Sequence, residues 1–74
     1  MRFSANIIRQ QIINKALQDR NLGIIKEHAL TVDYFVGFEE EFNYLIEYNE
    51  KYGGVPDRTT FQDAFRNFDI YDVD

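Results

Sequence analysis

Between Ala5 and Gln18 the apolar residues Ala5, Ile8, Ile12 and Ala16 return every three or four positions, and Ile13 and Leu17 widen the stripe. That spacing predicts an amphipathic helix with those residues on its buried side. Either Ser4 or Asn6 offers it a cap. The opposite side carries Gln10, Gln11, Asn14 and Gln18, which are amides rather than charges. Ile7 falls on that outer side too, because each helical residue turns about 100°. Asp19-Arg20-Asn21 breaks the pattern. A short second helix begins at Asn21 or at Leu22-Gly23 and runs through Ala29, with Ile24 and Ile25 inward.

Leu30 precedes Thr31, a natural cap for a single turn that holds Tyr34 and Phe35. After Gly37 the longest apolar periodicity runs from Phe38 to Tyr52, placing Phe38, Phe42, Leu45, Ile46, Asn49 and Tyr52 on one side of a third helix. Glu39, Glu40 and Glu41 in its first turn and Lys51 in its last both suit the helix dipole. Gly53-Gly54 closes that helix and Pro56 prevents its continuation. A last short helix opens within Asp57 to Gln62. Thr59 with Gln62 has capping-box spacing, and Thr60 with Asp63 competes. Phe61, Ala64 and Phe65 face inward, and Phe68 packs just after the helix.

No strand pair, hairpin signal, repeat or low-complexity tract interrupts this reading, so residues 1–74 are expected to form a single all-α domain, a small irregular bundle of four to five short helices. Its core is expected to unite Phe42, Leu45, Ile46, Phe61 and Phe65 with Ile8, Ile12 and either Tyr34 or Phe35. Seven phenylalanines and five tyrosines supply volume that so short a chain otherwise lacks.

Composition narrows the chemistry. Without cysteine there is neither a disulfide framework nor a thiolate metal site. Thirteen acidic and eight basic residues give a net charge of −5, and the bases are scattered along the chain. A phosphate backbone needs a clustered Lys/Arg face, so direct nucleic-acid binding is not expected. No run of about 20 apolar residues spans a membrane and no signal peptide opens the chain, which places the expectation in the cytoplasm.

Catalytic candidates are few. His28 is the single histidine and Ser4 the single serine, and neither has the partners a nucleophile requires. The carboxylates of the third helix read as a solvated acidic face, because an inward Glu-x-x-His metal pattern is missing. No phosphate-binding glycine loop is present. Catalytic, cofactor and metal residues are therefore all expected to be none. Two groups suit protein contact instead. Tyr44 and Tyr48 lie one turn apart at the edge of the third helix, and such tyrosines make a contact ledge at low entropic cost. The amide side of the first helix, with Ile7 and Gln11, is the second.

Taken in order, the amide-rich first helix with Ile12-Ile13 and Ala16-Leu17, then Leu30-Thr31 before Tyr34-Phe35, then the long third helix, resembles the N-terminal domain of DnaB-type replicative helicases. The most specific stretch is Tyr52-Gly53-Gly54-Val55-Pro56-Asp57-Arg58-Thr59-Thr60-Phe61, followed by Phe65-Arg66-Asn67-Phe68-Asp69-Ile70. In this form it is most similar to phage-type and other divergent members. The resemblance runs from about Arg9 to Val73.

It implies a non-catalytic assembly domain that contacts primase, helicase loader or other helicase subunits in a collar, while ATP and magnesium serve a separate, later domain of the parent. The chain lacks the helical hairpin, linker helix and ATP-binding core of that architecture, so it reads as a fragment of a longer protein, expected to be a monomer or weak dimer. A different class of answer is a free-standing small acidic phage regulator that binds and inhibits a host protein, displaying Glu39, Glu40, Glu41, Glu47 and Glu50 in the manner of a DNA mimic.

Overall fold

In the computed structural model, which describes residues 5–73, α1 spans Ala5–Asp19, α2 Gly23–Glu27, α3 Glu39–Tyr52 and α4 Arg58–Ala64, with a 3-10 turn at Val32–Phe35 between α2 and α3. The described residues contain no strand, so the domain is all-α as its periodicities predict. Ser4, one of the two caps offered for α1, lies outside the described residues, as does the side chain of Asn6.

The first two helices end without glycine. Arg20 (φ 59°) and Ala29 (φ 51°) both enter the left-handed region. After α1 the Asn21 N–H reaches the Ala16 carbonyl and the Arg20 N–H reaches Leu17, each at 3.3 Å. After α2 the Leu30 N–H reaches Ile25 at 3.0 Å and the Ala29 N–H reaches Lys26 at 3.2 Å. Both are Schellman closures, which satisfy the last carbonyls of a helix through one left-handed residue. α3 closes on Gly53 (φ 75°), whose N–H bonds to the Asn49 carbonyl at 2.8 Å. At α4 the cap is neither Thr59 nor Thr60. Asp57 sits in extended backbone and its Oδ1 accepts the Thr60 N–H at 2.7 Å, because a carboxylate three residues ahead of a free N–H outcompetes a hydroxyl already inside the helix.

The core gathers Ile13, Ala16 and Leu17 from α1, Leu22 and Ile25 around α2, Phe35, then Phe42 and Leu45 from α3, with Val55, Phe61 and Phe68. Phe35 stacks on Phe42 with centroids 4.7 Å apart. Phe61 meets Phe65 at 4.9 Å, Phe68 at 5.2 Å and Tyr44 at 5.9 Å. Of the Tyr34–Phe35 pair it is Phe35 that is buried. Arg9 instead holds Tyr34 from outside, through its Nε to the Tyr34 carbonyl at 2.6 Å and its guanidinium 5.6 Å from the ring centre.

Several expected core positions differ. Ile8 is 42% exposed and Ile12, Ile46 and Phe65 are only partly buried, while Ala64 is exposed. Tyr52 is 63% exposed. α1 is turned toward Ile13 and Leu17 because its amide side is not a solvent face. Asn14 is fully buried there, and residues 69–73 lie along it. α3 outruns its cover, so its last apolar turn reaches solvent.

Phe61 is fully buried among Tyr44 of α3 and Phe65 and Phe68, which follow α4. Phe61→Ala is expected to cost about 3–5 kcal/mol, a large fraction of the stability of so small a domain. Ile8→Ala is expected to cost well under that, and urea titrations of both variants measure the contrast. Ala29→Gly is expected to stabilise the fold by about 1 kcal/mol, since glycine adopts the left-handed C-terminal position without a Cβ clash. Its melting midpoint checks this.

Candidate protein-contact surface

α3 positions three tyrosines at successive turns on one edge. Tyr44 and Tyr48 have centroids 6.1 Å apart, and Tyr48 and Tyr52 are 4.6 Å apart. This follows from the helical i,i+4 spacing, which stacks side chains one turn above another. The ladder begins on the core, where Tyr44 packs edge-on against Phe65 at 5.4 Å and Phe61 at 5.9 Å. It ends in solvent at Tyr52, beneath the ammonium of Lys51 at 5.4 Å. Between α3 and α4 it borders a groove of about 380 Å³ lined by Tyr44, Glu47, Tyr48, Lys51, Tyr52 and Thr60.

The structure therefore brings Tyr44 and Tyr48 together and gives them different roles. Tyr44 is partly buried against the core and anchors the ladder. Tyr48 is half-buried above it. Tyr52 offers the most exposed ring, although the apolar periodicity of α3 predicts it on the buried side. Its signal was present in the i,i+4 series Tyr44, Tyr48, Tyr52. What hid it was its place in the last turn of α3, where the apolar face runs on past the buried Phe42 and Leu45 into solvent.

Ile7 and Gln11 lie elsewhere, on α1. Both are exposed, Ile7 by 47%. With Asn14 and Gln18 they form one stripe, whose second half is covered by residues 69–73 and whose first half is open. Gln11 also edges a small hollow of about 190 Å³ with Ile8, Ile12, Lys15, Ile24 and Val73, whereas Ile7 lines neither hollow. The sequence reading missed what Asn14 and Gln18 do, because nothing local distinguishes a solvated amide from one paired with a distant main chain.

Charge adds little reactive chemistry. A third hollow, of about 320 Å³, is edged by Phe38, Glu41, Phe65 and Phe68. Burial pushes the Glu41 carboxyl above its usual range, against a backbone hydrogen bond that lowers it, and Glu40 and Glu39 push it further up. Asp57 moves the other way, held below the usual range by the Thr60 N–H and hydroxyl. Among the described residues no group of three or more histidine, cysteine, aspartate or glutamate side chains could hold a metal ion. No helix among them is long and apolar enough to cross a membrane. A chain of 74 residues folded into short helices is too small to contain a helicase motor.

Comparisons of the chain with family models, with curated proteins and with solved structures find no match.

The Asp57 cap gives a pH test with a defined sign. Its folded pKa is depressed, so its contribution is present above the unfolded value and is lost as pH falls through the folded one. Asp57→Asn keeps an acceptor for the Thr60 N–H without a titrating charge. It is expected to melt close to the wild-type chain near neutral pH and to show a shallower loss of melting temperature on acidification, measured by thermal denaturation across the acid range.

Proposed function

We propose that this chain is a non-catalytic protein-contact module, and specifically the N-terminal assembly domain of a DnaB-type replicative helicase of phage-type or divergent kind. The observation that carries the contact reading is the tyrosine ladder, with a partly buried foot at Tyr44 and an exposed head at Tyr52. Rigid aromatic side chains that already sit in place lose little entropy on binding and are over-represented among the residues that dominate interface energies. The helicase reading is supported by the Tyr52-to-Phe61 stretch, in which Gly53 ends α3 in the left-handed region and Asp57 caps α4. In that role the domain works in the cytoplasm, docks primase or loader, and meets other helicase subunits in a collar. ATP and magnesium belong to the parent's motor domain.

The partner-facing residues in this reading are Tyr48 and Tyr52, with Tyr44 as their support and Ile7 and Gln11 as a second, separate patch. Tyr48→Ala combined with Tyr52→Ala is expected to weaken binding to primase or loader by about 2 kcal/mol or more, with helical circular dichroism unchanged. Tyr44→Ala is a poorer probe, since its ring packs on Phe61 and Phe65. Calorimetric titration of the parent's primase and loader with wild-type and double-variant chains decides the matter. Equal affinities remove the ladder from the interface. Tight, salt-dependent binding of the wild-type chain to DNA overturns the protein-contact reading, and capture of a DNA-binding host protein in competition with DNA favours the free-standing acidic regulator.

A further inference from the structure

Residues 69–73 run extended along α1 and are held there by two side-chain amides. Asn14 donates its Nδ2 to the Asp69 carbonyl at 3.0 Å and accepts the Tyr71 N–H on Oδ1 at 2.9 Å. One turn further on, Gln18 donates its Nε2 to the Val73 carbonyl at 2.9 Å and accepts the Val73 N–H on Oε1 at 2.7 Å. A helical i,i+4 step advances about 6.0 Å, and two residues of extended chain advance about 6.6 Å. The two repeats nearly match, so an i,i+4 pair of amides presents donors and acceptors much as the edge of a strand does. Outside the amide pairs the segment has one ion pair, Arg58 to Asp72 at 2.8 Å, and partial burial of Ile70, Tyr71 and Val73.

The anchoring of the preceding loop stops where the segment starts. Gln62 gathers the carbonyls of Phe65, Arg66 and Phe68 at 2.9, 3.3 and 2.8 Å, and the Phe68 ring is buried. Rotation about the Phe68–Asp69 link would therefore release the segment with the Gln62 bonds and the Phe68 ring in place, breaking the Arg58–Asp72 pair and uncovering Ile70 from beside α4.

We propose that the Asn14–Gln18 stripe of α1 is a docking site for extended main chain, and that residues 69–73 of a second copy occupy it in exchange for the chain's own. The amides read main chain, and the same segment from another copy supplies the same hydrogen bonds and the same Asp72 for Arg58. Exchange therefore conserves the contacts broken on opening and leaves mainly the entropy of association as its cost. What favours the pair is the apolar surface beside the site. Ile7 and Ile8 are 47% and 42% exposed, and the hollow of Ile8, Ile12 and Ile24 opens next to Val73. A second copy whose segment occupies the stripe brings its own body against this end of α1 and covers that surface. Exchange does not depend on the tyrosine ladder, which belongs to α3.

The absence of native cysteine makes the test direct. Lys15 and Val73 line one hollow, so the chain carrying both Lys15→Cys and Val73→Cys is expected to close a disulfide within a single chain. Failure both to oxidise and to be bridged within one chain by a short bifunctional thiol crosslinker would remove residues 69–73 from the site altogether. The two single variants, mixed and oxidised slowly, are expected to give a species of twice the monomer mass linked between positions 15 and 73, identified by peptide mapping. Its yield should rise with concentration. Val73→Cys mixed with Glu50→Cys, an exposed position on α3, supplies the collision background. A position 15-to-73 link no more abundant than that background would overturn the exchange.

Discussion

A chain this short has room for one interior, and its helices are too few to enclose that interior by aliphatic packing alone. The constraint is met by a run of aromatic contacts that converge on the fully buried ring of Phe61. From there the run reaches Tyr44 on α3, Phe65 at the end of α4, and Phe68 beyond it. Phe38 joins through Phe68 at 5.9 Å. Residues 53–68 are folded back by these rings, so the position of α4 and of the loop after it depends on them, while the Asn14 and Gln18 amides hold the segment that follows along α1. Broad, flat side chains suit this task because each removes much surface from water for one residue of backbone.

The same rings connect interior to surface. Tyr44 touches Phe61 on one side and Tyr48 on the other, so the exposed head of the ladder is positioned by the core rather than by solvent-facing hydrogen bonds. Rings fixed in this way meet a partner already ordered, which lowers the entropic cost of association. The α1 patch is built differently. Ile7 and Gln11 stand on a helix whose adjoining residues, Asn14 and Gln18, are engaged with residues 69–73. One surface is thus supported by packing and the other by main-chain hydrogen bonding.

Much of the architecture was legible in the residues. The periodicity of α3, the Gly53-Gly54 stop and Pro56 place that helix to within a residue at each end, because turn chemistry and dipole-favoured charges agree there. The Tyr44–Tyr48 pairing followed from spacing alone. The face of α1 did not. Ile7, Ile8, Ile12 and Ile13 encircle the helix, so its apolar stripe has no sharp centre, and the deciding partners are residues some 55 positions away, between Asn14 and Asp69. The exposure of Tyr52 is equally non-local, since burial at a helix end depends on where the chain goes after the Gly53 stop. The α4 cap lies two or three residues ahead of the expected threonines, because Asp57 just before them supplies the stronger acceptor.

The way residues 69–73 are held has a consequence for how freely their sequence can change. Asn14 and Gln18 bond to carbonyls and N–H groups that every residue but proline possesses. Substitutions among 69, 71 and 73 therefore leave the amide pairings intact and alter only the modest burial of the side chains themselves. The two positions on α1 have no such latitude, because a shorter or uncharged-to-charged replacement removes both members of a pair at once. Variation between related chains would then be unequally distributed: drift in the segment, constancy in the two amides that grip it. A comparison of aligned sequences that weighed each position alone would rank the segment as dispensable, although its main chain closes one side of the fold.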